Sequence, residues 1–148
     1  MIKPHRPRID RSHPLSRGLV GAWPMWEGGG SVARDIARGQ DGTVYGATWG
    51  GAQSGQSLSF DGVNDYVDCG NPEHLDMVSG FTIAAWVKVS SVGTKVFVSK
   101  GFDQNEKQYM IGTHSDGTLR FDYERSTNDW WFTGNTVVST GVWHHVAV

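Results

Sequence analysis

Three things are scarce in this sequence: cysteine, charge and long apolar runs. Cys69 is the one cysteine in 148 residues, so no internal disulfide forms and no thiolate cage can hold a metal. It reads as a small sheet residue rather than a reactive thiol. Charged residues make up 19% of the chain and the formal net charge is −2. No basic patch interleaved with aromatics and no groove-reading element is present, which excludes nucleic acid as a partner. No apolar run is long enough for a membrane span, so membrane insertion is not expected. A secretory signal needs an apolar stretch of about seven residues or more; the first 17 residues offer only the isolated Ile2, Ile9 and Leu15. No signal peptide is read. An apolar period of 3.6 residues is also missing, which argues against a helical bundle.

Glycine and tryptophan are abundant, at 20 and 7 residues, and turn signals recur every several residues. This is the spacing of an all-β chain. At this length the prior favours one domain, burying about 68–70% of its unfolded surface if the chain is complete. Residues 1–17 differ from the rest: Lys3, Arg6, Arg8, Arg11 and Arg17 stand against Asp10, with Pro4, Pro7 and Pro14 among them. Such a stretch resists helix and has little to bury, so it reads as a solvated basic leader ahead of a domain over 18–148.

Taken in order, residues 19–26 read as a strand with an edge or bulge at Pro24, which cannot donate to a ladder. Glu27-Gly28-Gly29-Gly30 breaks it, and 31–42 reads as a loop carrying Asp35. Short β-type runs follow at 43–45 and 47–49. The stretch Leu58–Asp68 reads as strand, polar turn, strand, and is expected to be a hairpin nucleus. Phe81–Val89, 95–100 and 109–114 continue the strands, with a polar loop at 101–107. Ser115-Asp116-Gly117 is the strongest hairpin turn in the chain. After it Leu119, Phe121 and Tyr123 alternate with Arg120, Asp122 and Glu124, one face buried and one wet. A turn at 126–129, runs at 130–132 and 136–138, and the strand from Val142 close the chain. It stops on an apolar strand, an open edge that invites self-association or a partner's strand.

Gly18-Leu19-Val20-Gly21-Ala22-Trp23, Glu27–Gly30, Asp35, Ser57–Gly62, Asp65-Tyr66-Val67, Phe81–Val87 and Trp143-His144-His145-Val146-Ala147 occur in an order and spacing that resembles the laminin-G-like, concanavalin A-like jelly-roll family. The resemblance spans 18–148 and implies an all-β fold, an antiparallel two-sheet jelly-roll sandwich, here incomplete at the C-terminus. More weakly, the leader resembles members from phages and environmental bacteria.

Candidate sites follow from both sources. Hydrolysis of a glycosidic bond needs two carboxylates about 5–9.5 Å apart. The four glutamates, Glu27, Glu73, Glu106 and Glu124, form no acidic pattern on one strand face, and Arg120 shares a face with Asp122 and Glu124. No catalytic residue is assigned and the chain is not expected to be an enzyme. No serine lies on a Gly-X-Ser-X-Gly elbow. His144 and His145 point to opposite faces of a strand, so they do not share a metal; one is expected packed or hydrogen-bonded, the other exposed. Calcium suits loop aspartates and carbonyls better than any softer metal. The resemblance implies that Asp35, Asp61 and Gly62 contribute to such a site; the same residues also read as a side-chain cap and a tight turn. Asn128-Asp129-Trp130-Trp131 groups amides and carboxylates with indoles, as sugar recognition requires, and one indole must point outward. Trp23, Trp86 and Trp143 read as core.

The expectation is a non-catalytic recognition module at a cell surface, outside the cell or on a virion, binding a glycan or a surface protein with calcium assisting. A structural or decoration protein of a virion or surface assembly is the alternative, and a glycoside hydrolase the third reading.

Overall fold

The computed structural model describes residues 7–52, 55–77, 80–101, 108–125 and 128–148, with the side chains of 124, 125 and 128–130 outside the description. Residues 102–107 of the polar loop expected at 101–107, residues 126–127 of the turn expected at 126–129 and the first six residues of the leader fall outside the described residues, while 128 and 129 are strand and not turn. The chain divides into two compact units, one ending at Leu75 and the other running from Asp76 to Val148. The described regular structure is eleven β-strands and two short 3₁₀ turns, at Pro14–Ser16 and Glu73–Leu75.

In the first unit β1 (Val32–Ala33), β2 (Gly42–Tyr45) and β5 (Tyr66–Asp68) form an antiparallel sheet in the order β1-β2-β5. β3 (Thr48–Ala52) and β4 (Gly55–Ser59) form a separate hairpin. Alternation along β2 buries Val44 and leaves Thr43 and Tyr45 outside. Tyr45 stacks on its cross-strand partner Tyr66 with ring centroids 4.7 Å apart and planes at 19°. The stretch Leu58–Asp68 is therefore not a hairpin. Its two strands belong to different sheets, β4 pairing with β3 and β5 with β2, and the turn between them is closed by its own side chains. Asp61 Oδ1 accepts the Val63 N–H at 2.8 Å, and Asp65 Oδ2 accepts the Asp61 N–H at 2.8 Å. With its polar groups satisfied locally, the turn leaves β5 free to pair elsewhere.

Residues 19–26 form no strand either. Pro24 lacks an N–H, and Met25 adopts a left-handed backbone with φ of 53°, which a regular ladder does not accommodate. The leader is largely exposed along its described length, as a solvated stretch should be, yet it is tethered at one point. Arg11 donates to the Ala37 carbonyl at 2.6 Å, and Asp10 caps the turn through the Ser12 N–H and hydroxyl.

The second unit is a two-layer antiparallel sandwich. One layer is a sheet in the order β10-β9-β8-β7, built from β7 (Lys95–Lys100), β8 (Tyr109–Thr113), β9 (Thr118–Arg125) and β10 (Asn128–Val137). The other is the pair of β6 (Ala84–Val87) and β11 (His144–Ala147), extended by reciprocal bonds between Ile83 and Val148 at 3.0 Å. Between them lie buried Val89, Ile111, Val138 and Val146, with Ile83, Ala85, Val87, Phe97, Leu119 and Val148 packed around. Phe97 reaches this core because a bulge between Val96 and Val98 inserts it as an extra residue. The β8–β9 turn forms where expected: Gly117 supplies a φ of 84°, and Asp116 takes both the N–H and the hydroxyl of Thr118. The two runs read at 130–132 and 136–138 are one long strand, β10, with a register shift between Thr133 and Val137.

Candidate ligand-binding face

β9 sorts its side chains by alternation. Phe121 and Tyr123 face the interior, Tyr123 donating its hydroxyl to the Met77 carbonyl at 3.0 Å and both rings meeting Phe81. Arg120 and Asp122 therefore occupy the outer face. There Arg120 Nε donates to Asp122 Oδ1 at 2.7 Å. Residues of β10 directly opposite carry the same face outward: Trp131 faces Asp122 and Thr133 faces Arg120. On the other flank Met110 and Gly112 of β8 oppose Asp122 and Arg120. Gly112 is required here, since a Cβ would land on the Lys95 carbonyl. The Trp131 side chain is 73% exposed, and its strand neighbours include an ion pair whose carboxylate is only 13% exposed. The result is an internally paired Arg120–Asp122 floor beside a solvent-facing indole, a geometry suited to stacking an apolar ring face while hydrogen bonds are made at its rim.

The other residues singled out in the sequence lie as follows. Asn128, Asp129 and Trp130 belong to β10, opposite Arg125, Glu124 and Tyr123; their side chains lie outside the described residues. Asp35 is buried, and its carboxylate is filled by backbone donors. Oδ1 accepts from Ala22 and Ala37, both at 2.8 Å, and Oδ2 from Arg38 at 3.0 Å and Gln40 at 3.1 Å. Burial raises this carboxyl, but the four N–H groups outweigh it and leave it below the usual carboxylate range. Asp61 and Gly62 form the tight turn described above, with Gly62 at a φ of 79°. Among the described residues no group of three carboxylate, histidine or cysteine side chains gathers as a metal site would require. The donors on Asp35 fit a side-chain cap, and those on Asp61 a tight turn, rather than a calcium site.

Cys69 is half-buried, and burial together with the nearby charges of Asp68 and Asp35 pushes its thiol up to about 11, the opposite of an activated nucleophile. The two histidines part as alternation demands. His144 meets the Ser139 hydroxyl at 3.0 Å, while His145 is exposed and lies against Trp86. Trp86 corrects the sequence reading: it is 64% exposed rather than core, because Ala85 and Val87 take the inward positions of β6. Trp23 and Trp143 are half-buried, Trp23 donating its indole N–H to the Gln40 carbonyl at 2.9 Å. The outer Arg120–Asp122 pair is visible in the sequence only as two charges on one strand face; their bond is a product of the fold.

Architecture and face together define an antiparallel β-sandwich presenting an aromatic strand to solvent. The chain belongs to the concanavalin A-like lectin/glucanases superfamily, whose laminin-G-type model matches residues 60–148. Among solved structures, the chain resembles an S-layer domain-containing protein from Clostridium thermocellum. That match has a TM-score of 0.66 at 23% identity, covering 83% of this chain and 60% of the other. The chain thus spans 60% of the length of that relative. No curated protein matches the sequence. No helix among the described residues is long and apolar enough to cross a membrane.

Proposed function

We propose that this chain is a non-catalytic recognition module whose outer β9–β10 face binds a neutral glycan displayed at a cell surface. The observation that carries the reading is Trp131, 73% exposed directly opposite Asp122. An indole facing solvent beside a hydrogen-bonded polar pair offers a sugar ring an apolar face with polar groups at its edge. The Arg120–Asp122 bond satisfies these two charges with each other, which favours sugar hydroxyls over an ionic partner beside Trp131. A hydrolase is disfavoured because Asp122 is already engaged by Arg120. Cell-surface placement draws support from the S-layer domain named in the structural relative.

A glycan array probed with the intact chain and with Trp131→Ala tests the proposal. Wild type is expected to retain neutral glycans, and the variant to lose about tenfold or more in affinity with unchanged thermal stability. Equal retention by both would refute the site; retention of no glycan by wild type would refute the glycan reading itself.

A further inference from the structure

The outer face of the β6–β11 ladder carries a second, chemically different constellation. Trp86 stands directly opposite His145 with ring centroids 5.2 Å apart. Just beyond the paired residues, on the same face by alternation, Lys88 places its Nζ 5.4 Å from the ring centre of Trp143. The four side chains form a checkerboard, two indoles on one diagonal and two nitrogen donors on the other. At the opposite end Ala84 faces Ala147, both exposed, and their small size leaves the floor beside Trp86 open. Among the described residues no carboxylate pairs with Lys88 or His145. This face therefore keeps a cation that the Arg120–Asp122 face has neutralised.

We infer that the β6–β11 face is a binding site for an acidic polysaccharide built of uronic acid units, independent of the Trp131 face. Pyranose rings offer apolar C–H faces to Trp86 and Trp143, and each ring's carboxylate finds a donor in Lys88 or His145. A neutral sugar leaves the ammonium without a counter-charge. A polysulfate brings more charge than two donors balance, and its affinity would not depend on the indoles. Charge complementarity of this kind sets specificity more than raw affinity and weakens with added salt. The lysine's own contact with Trp143 orients it without neutralising it.

Affinity electrophoresis of the intact chain through gels containing polygalacturonate, dextran or dextran sulfate decides the matter. Polygalacturonate is expected to retard wild type in a salt-sensitive way. Trp86→Ala should weaken that retardation about tenfold, Lys88→Gln about two- to fivefold, and Trp131→Ala should leave it unchanged. Lys88 is exposed, so its variant keeps the fold, and circular dichroism verifies this for both. The inference is overturned if polygalacturonate does not retard wild type, if Trp86→Ala and Lys88→Gln migrate as wild type, or if dextran sulfate retards all forms equally and more strongly. Because Trp131→Ala is read on neutral glycans, failure here is distinct from failure of the Trp131 proposal.

Discussion

Replacing Asp35 by asparagine is the sharpest test of how the first unit is held together. The carboxylate accepts four backbone N–H groups, two on each oxygen, from Ala22, Ala37, Arg38 and Gln40. An amide has one oxygen and one NH₂, so it can satisfy one pair and must confront the other pair donor to donor. Orphaning a buried donor costs about 1–3 kcal/mol. Two partly buried donors place the loss for Asp35→Asn at about 2–4 kcal/mol. Amide exchange read by NMR localises the effect: whichever pair faces the new NH₂ should lose about thirtyfold or more of its protection, since about 1.4 kcal/mol corresponds to a factor of ten. The pH dependence carries a definite sign. The folded-state pKa of Asp35 is lowered, so its contribution is present above the unfolded value of about 3.9 and is lost as pH falls through the folded value. Acid titration of wild type should therefore show a loss of stability in that window which Asp35→Asn lacks. Unfolding of Asp35→Asn within about 0.5 kcal/mol of wild type, with the four amides still protected, would refute the reasoning.

Other outcomes follow from the same geometry. Gly112→Ala should destabilise the second unit by about 1–3 kcal/mol or more in urea melts, because the added Cβ meets the Lys95 backbone rather than a movable side chain. Cys69 should resist a thiol reagent at pH 8 in the folded chain and react fully after denaturation, since its pKa is pushed up to about 11; rapid native labelling would contradict the assigned environment. Adding millimolar calcium or removing it with a chelator should move the melting temperature by less than about 1 °C, because backbone donors already fill the Asp35 carboxylate; a larger rise would show a ligand set outside the cap described here.

Much of the architecture was legible in residue order. Period-two alternation is a covalent property of an extended chain, so Leu119, Phe121 and Tyr123 had to share one face and Arg120 and Asp122 the other. His144 and His145 had to diverge, and one of Trp130 and Trp131 had to point away from the core. Ser115-Asp116-Gly117 announced the β8–β9 turn because its φ and its side-chain bonds are local. What alternation does not contain is which of its two faces is inward, nor which strand is the neighbour. Trp86 was assigned to the core for that reason, and only the packing of Ala85 and Val87 against Ile111 and Val146 turns the indole outward. Leu58–Asp68 has the local pattern of a hairpin, yet β4 pairs with β3 and β5 with β2, a choice made by long-range partners that local pattern cannot encode. The same holds for Asp35, whose role depends on the Ala22 N–H, 13 residues away, converging with three amides of its own loop. Sequence by itself determined most of the strands, which residues share a face, and the family; tertiary structure decided which of those faces meets water and which charges find partners, because burial and pairing belong to neighbours in space and not to neighbours in the chain.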